Sequence, residues 1–200
     1  MVTTPIRLGL SGTHSSGKTT LARRIEMELR ATGLNVVRTG GLAKRAAELG
    51  FPKMTRHTAA STEWIITAGA AAVLEAELTA DIVIVDRIAY DALGYYLAAL
   101  HHRGETASAD DVDHLTSLAR LHTRRLSVIM ATVLDPAVPL DVPFGKDPDY
   151  TNLGFRASVD QHLHQLLKEL HPGYVPVGRH EHSRAADSAV TLVTYLLENS

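Results

Sequence analysis

The stretch Ile6-Arg-Leu-Gly-Leu-Ser-Gly12-Thr-His-Ser-Ser-Gly17-Lys18-Thr19-Thr20 decides how the rest of the chain is read. Ile6 to Ser11 is a short apolar run and reads as a buried strand. Lys18 to Ala31 carries apolar residues at helical spacing (Leu21, Ala22, Ile25, Leu29) and stops at Gly33. Between them, Gly12 to Thr19 fits G-x-x-x-x-G-K-[ST], the phosphate-gripping loop between a strand and a helix. Gly12 and Gly17 let the backbone curl so that successive N–H groups face one anion, and the helix N-terminus adds its dipole. Lys18 then reaches the β- and γ-phosphates, and the Thr19 hydroxyl ligates Mg²⁺. Contacts to ATP are expected from Gly12, Thr13, His14, Ser15, Ser16, Gly17, Lys18, Thr19 and Thr20. At His14 the backbone N–H counts; the side chain is expected on the loop's outer face, with a catalytic imidazole as the lesser alternative.

Outward from that loop, strands and helices alternate. Strands are expected at Leu34–Arg38, Ile82–Asp86, Ser127–Leu134 and Tyr174–Val177. Helices are expected at Leu42–Leu49, Thr58–Thr79, Tyr90–His101, Ala109–Arg124, Leu153–Leu170 and Ser183–Leu197. This order implies an α/β fold: a three-layer, doubly wound, mostly parallel five-stranded sheet covered on both faces. No repeat or linker divides the chain, so residues 1–200 read as one domain. The segment 136–156 begins in a proline-rich stretch and reads as a surface loop or lid.

Composition narrows the classes. The 200 residues carry a formal charge of −2 and no basic run, which argues against nucleic acid as the main partner. There is no cysteine, so disulfides and thiolate–metal sites are excluded. The eleven histidines are scattered, with close spacings of one or two instead of the i, i+4 of helical metal pairs. No apolar run approaches a membrane span, and no signal-peptide pattern opens the chain. The expectation is a cytoplasmic protein with no membrane partner; a homodimer is compatible with the sequence.

The second constellation is Ile82-Val-Ile-Val-Asp86-Arg87-Ile-Ala-Tyr-Asp91-Ala-Leu-Gly-Tyr95-Tyr96. A β-branched run closing on an acid resembles a Walker-B strand. It puts Asp86 at the carboxyl edge of the sheet, where ligands bind in such folds. Asp86 is expected to hold the metal's water shell or orient the acceptor. Arg87 offers a planar fork of donors to phosphate or carboxylate, or else a plain salt bridge. Asp91 lies one helical turn on and either binds the acceptor or caps the helix. Tyr95 and Tyr96 leave different faces of the helix, so at most one lines a pocket.

Gly12-Thr-His-Ser-Ser-Gly-Lys-Thr-Thr-Leu-Ala, with Asp86-Arg87, Asp91 and Tyr95, is similar to the P-loop kinases of nucleosides and nucleotides. The look is nearest to the AAA-type ATP-binding branch that includes ribosylnicotinamide kinase domains; thymidylate and deoxynucleoside kinases are more distant. The resemblance implies ATP and Mg²⁺ as cofactors and a small-molecule phosphate acceptor. Lys18, Asp86 and Arg87 would be catalytic, and Thr19 and Asp86 would hold the metal. It further implies a basic lid, matched by Lys146 and by Arg156, the latter either closing over the phosphoryl group or exposed on a helix. Arg179 and Arg184 fall where such kinases hold adenine, although Arg184 equally suits a surface charge.

One departure stands out. Related nucleoside kinases carry an acid just after the second strand, whereas this chain has Gly40-Gly41 followed by Lys44 and Arg45. A hydroxyl acceptor benefits from a carboxylate that takes its proton. The change therefore favours either a monophosphate acceptor met by Lys44 and Arg45, or Asp86 as base, unless Glu48 or Glu63 substitutes. Trp64 could stack on a base or lie in the core. The function expected is ATP-dependent phosphoryl transfer to a nucleoside monophosphate or nucleoside. The alternative is a P-loop ATPase acting as a switch without an acceptor; a binding module without catalysis is disfavoured by the intact Lys18, Thr19 and Asp86.

Overall fold

Five parallel strands lie in the order β2-β3-β1-β4-β5: β1 (Ile6–Ser11), β2 (Val36–Thr39), β3 (Ile82–Asp86), β4 (Val128–Thr132) and β5 (Val175–Val177). They belong to a computed structural model that describes residues 5–140, 142 and 147–199. Seven helices connect and cover the strands: α1 (Lys18–Ala31), α2 (Leu42–Glu48), α3 (Ala59–Ala76), α4 (Ala89–Arg103), α5 (Ala109–Thr123), α6 (Leu153–Leu170) and α7 (His182–Glu198). The expected doubly wound sheet is present, and every strand pair is parallel.

Alternation along the strands explains the two layers. Ile6, Leu8 and Leu10 of β1, with Ile82 and Ile84 of β3, meet Leu21, Ile25 and Leu29 of α1 and Ala186, Ala189 and Val193 of α7. The opposite face, with Val83, Val85, Ile129 and Ala131, packs under α3, α4, α5 and α6 through residues such as Ile66, Tyr90, Ala119 and Leu163. Leu8 and Leu10 are fully buried, and each such side chain stabilises the fold by roughly 2 kcal/mol. The chain leaves β1 towards one face and β3 towards the other. Their carboxyl ends therefore form a switch point, and the crevice there receives ligands.

Element ends differ from the expected ones by up to three residues, in places where a local device intervenes. The α3 helix starts at Ala59 because the Thr58 hydroxyl accepts the Ser61 N–H at 3.2 Å. The α4 helix runs on to Arg103 and ends at Gly104 with φ 67°. Short 3-10 turns at Met54–Arg56, Pro148–Thr151 and Arg179–Glu181 were outside the periodic signal. The Lys146 expectation lies outside the described residues.

His57, just after the 54–56 turn, is only 4% exposed, and its Nε2 has no hydrogen-bond partner among the described residues. Burial, aided by the nearby charge of Arg103, lowers its pKa to about 4. The unfolded chain, with an ordinary histidine, takes up this proton first. Folding stability is therefore full above about pH 6.5 and falls as the pH drops towards 4, by about 3 kcal/mol from this residue. Urea midpoints for the wild type and His57→Gln between pH 7 and 4.5 should converge as the pH falls. Parallel pH profiles would contradict the assignment.

Candidate active site

The loop between β1 and α1 is shaped as the motif requires. Gly12, Ser15 and Gly17 have φ of 144°, 56° and 86°, an alternation that turns consecutive N–H groups to one side. Gly12 also passes close to β4, because a Cβ there would lie 2.1 Å from Thr132 Oγ1. The α1 helix has no side-chain cap and no acid in its first turn. Its first N–H groups and dipole thus suit an anion. Thr19 is exposed at that helix start.

Charges converge below the loop. Lys18 is 5% exposed and its Nζ lies 2.6 Å from Asp86 Oδ1. Burial depresses the Lys18 pKa, the charge of Arg87 adds to this, and Asp91 and Asp86 oppose it. Asp86 Oδ2 lies 3.2 Å from Arg38 Nη1. Burial works to raise the Asp86 pKa, but Lys18, Arg87 and Arg38 together outweigh it and hold the carboxyl below its ordinary range. Arg87 adopts φ 83°, a left-handed conformation that costs a non-glycine residue about 1 kcal/mol or more and is typical of functional sites. Its guanidinium stands 5.4 Å from the centre of the Tyr95 ring and 3.6 Å from Asp91 Oδ1. Burial disfavours its charge, but Tyr95, Asp91 and Asp86 more than compensate, so its pKa rises.

Asp91 fastens the loop from the cavity wall. It is 2% exposed; Oδ2 accepts the Ser11 hydroxyl at 2.9 Å and the Ile88 N–H at 3.0 Å, and Oδ1 accepts the Gly12 N–H at 3.2 Å. Burial raises its pKa, opposed by Arg87 and Lys18. Of the capping and acceptor-binding alternatives, the cap describes it. Tyr95 faces the cavity while Tyr96 is buried among Leu93, Leu100 and Leu115.

His14 corrects an expectation. Its ring is not on the outer face: it is 5% exposed, with Nδ1 2.9 Å from Tyr95 Oη and Nε2 3.1 Å from the Tyr150 carbonyl. A carbonyl only accepts, so Nε2 carries a proton. The His14 N–H donates to Tyr95 Oη at 3.0 Å. Tyr150, from the 148–151 turn of the lid segment, lies 2.6 Å from Ser15 Oγ through its hydroxyl.

Arg156 is neither exposed nor aimed over a phosphoryl group. It is 3% exposed, and its Nε and Nη2 donate to the carbonyls of His14 and Ser15 at 3.0 and 2.9 Å. Its fork braces the phosphate loop from behind. Arg184 is a surface charge paired with Glu181 at 2.8 Å, and Arg179 is exposed. The side chain from that segment which reaches the loop is His182, against Gly17, where a Cβ would lie 2.5 Å from its Cε1.

The expected acceptor contacts divide in the same way. Lys44 borders the cavity but is exposed and pairs with Glu48 at 3.7 Å. Arg45 is exposed and Trp64 stacks on Phe51 with ring centres 5.5 Å apart; neither lines the cavity. Gly40 explains the missing acid, since a Cβ there would press on Asp86 at 3.3–3.4 Å. Glu63 is turned to His114 at 3.3 Å, and Glu48 to Lys44, so neither replaces it. Arg38 was missed from sequence; its only signal was a charge at the end of the strand beside β3.

No protein-family model and no curated protein matches this chain. Solved structures do. The crystal structure of a NadR protein in complex with NR superposes with a TM-score of 0.57 at 20% identity, over 86% of this chain and 43% of that one. Thymidylate kinase from Ehrlichia chaffeensis gives 0.59 at 15% identity, over 94% of this chain and 99% of that one. The chain shares the fold of these two structures. It spans less than half the length of the NadR structure. Among the described residues no helix is long and apolar enough to cross a membrane, and no cluster of three metal-binding side chains exists. Thr19 directly, and Asp86 through the ion's water shell, could hold a Mg²⁺ together with phosphate oxygens, as Mg²⁺ commonly keeps several waters.

Arg156→Ala removes two charge-assisted donors from buried carbonyls, a loss of about 2–3 kcal/mol. The expected result is a lower melting temperature together with ATP binding weakened at least about tenfold. A fall in kcat with ATP affinity and stability intact would return Arg156 to the lid role.

Proposed function

We propose that this protein is an ATP-dependent phosphotransferase that moves the γ-phosphate to a small acceptor in the cavity beside Asp86 and Arg87. The observation that carries the reading is the buried Lys18–Asp86 pair, flanked by Arg87, at the mouth of a cavity that opens on the switch point. A hydrolytic switch needs the phosphate grip; it does not need a cavity of about 810 Å³ next to the γ-phosphate position.

The loop amides, Lys18 and Thr19 are suited to hold the triphosphate, and Mg²⁺ would supply charge neutralisation of the β- and γ-oxygens. Once Lys18 turns to phosphate, Asp86 loses its closest partner and becomes the carboxylate available to orient the acceptor oxygen and take its proton. The other cavity carboxylates are engaged: Asp91 by the loop, Asp147 by Lys53 and Arg56, Glu48 by Lys44. Arg87 balances charge that develops on the transferred group. The resemblance makes nucleosides and nucleoside monophosphates the first acceptors to test, and the cavity walls favour a more apolar alcohol beside them.

The decisive assay follows ADP release with ATP·Mg²⁺ across nucleosides, monophosphates and other small alcohols. At least one acceptor should raise the rate well above the water-only rate; if none does, the switch reading replaces this one. Lys18→Ala should lower kcat by about a hundredfold or more. Arg87→Ala should lower kcat/KM for the acceptor by about a hundredfold while leaving ATP affinity within about twofold. An unchanged kcat/KM would remove Arg87 from the reaction.

A further inference from the structure

The cavity beside Asp86 has a volume of about 810 Å³, near the top of the roughly 300–1,000 Å³ range for small-molecule sites. It does not stay at the sheet edge. Arg7 of β1 also lines it, and Arg7 pairs in register with Val83, three residues before Asp86. The chamber therefore descends about 10 Å along the face of the sheet, beneath α3. Its middle is aliphatic, built by Ile66, Val73, Val85, Ile88, Ala92 and Leu126. Thr123 adds a hydroxyl there, but that hydroxyl already donates to the Ala119 carbonyl at 2.8 Å.

The floor is different. Arg7 is 5% exposed, is bonded to Glu77 through Nε, and keeps a buried Nη2 with no partner among the described residues. His122, Arg124 and Arg125 line the same end. An orphaned buried donor of this kind is costly unless a ligand or water accepts from it.

We propose that the acceptor is an amphipathic alcohol, with its hydroxyl at Asp86, a medium-length apolar body in the chamber and a carboxylate or other anionic oxygen at Arg7. This rests on the kinase reading above. In the aliphatic middle a base would bury donors and acceptors that those walls cannot satisfy; the polar and aromatic lining, His57, Tyr95, Asp147 and Tyr150, is distinct from those six aliphatic residues. The aromatic pair Trp64–Phe51 lies outside the cavity and offers it no stacking platform. In the reaction the hydroxyl oxygen bonds to the γ-phosphorus and the bond to the β–γ bridging oxygen breaks. ADP leaves with that electron pair, and the hydroxyl proton passes to Asp86.

The test uses two homologous series, the primary alcohols from butanol to dodecanol and the ω-hydroxy acids of the same lengths, with nucleosides as a third arm. ADP release is measured with ATP·Mg²⁺, and binding by calorimetry without ATP. KM should fall up to about fourfold per added CH₂ until the chamber is full. The hydroxy acid long enough to reach Arg7 should then be favoured about tenfold over its alcohol. Arg7→Met should abolish that preference. Because it strands Glu77 and could unfold the protein, Ala70→Leu and Ala92→Leu provide an independent check, and each should shorten the best chain length. Turnover of nucleosides with no dependence on chain length would overturn the proposal and leave the kinase reading standing. Length-dependent binding without ADP release would overturn the acceptor role and the kinase reading together.

Discussion

A carboxylate taken out of water has to be surrounded by donors, and Asp91 meets this demand with the start of the phosphate loop. Its partners are Ser11, the Gly12 and Ile88 N–H groups and the guanidinium of Arg87. Removing one partner of a buried charge costs about 3–5 kcal/mol, so the end of β1 and the start of α4 are held as one unit. Much follows from that join. Tyr95, one turn along α4, is carried to the His14 N–H, and Arg87 is forced into its left-handed turn beside Asp86.

The loop is then fixed from its other side. Arg156 takes two of its carbonyls, Tyr150 takes the Ser15 hydroxyl, and Thr132 bonds Ser16. With side chains from α4, the 148–151 turn, α6 and β4 engaged, the loop backbone is set before a ligand arrives, although the Gly12 and His14 N–H groups already donate to Asp91 and Tyr95. Binding a phosphate therefore requires little ordering of the loop, which favours affinity. The cation that must move is Lys18, whose partner in this state is Asp86.

How much of this was legible depends on range. The phosphate loop, the β3 acid and the order of elements are short-range patterns, and the sheet follows them strand by strand. Asp91 could be narrowed to cap or contact because both readings are set within one helical turn. Arg38, Tyr150 and His182 were invisible because only pairing and packing across tens of residues bring them to the site. Arg156 misled for a related reason: sequence shows that an arginine enters α6, not that the first turn of α6 lies against the phosphate loop. For Trp64, open in sequence between a base and the core, and for Arg45, α3 and α2 present other faces to the cavity.

Arg38 has a consequence of its own. It belongs to β2, a four-residue edge strand whose only neighbour in the sheet is β3. Edge strands with a single partner open at lower free energy than the strands they border. Each such opening withdraws one cation from Asp86 and leaves it to Lys18 and Arg87. The electrostatics of Asp86 are thus tied to an edge of the sheet. Mild denaturant that leaves the central strands intact would loosen the surroundings of Asp86 through β2.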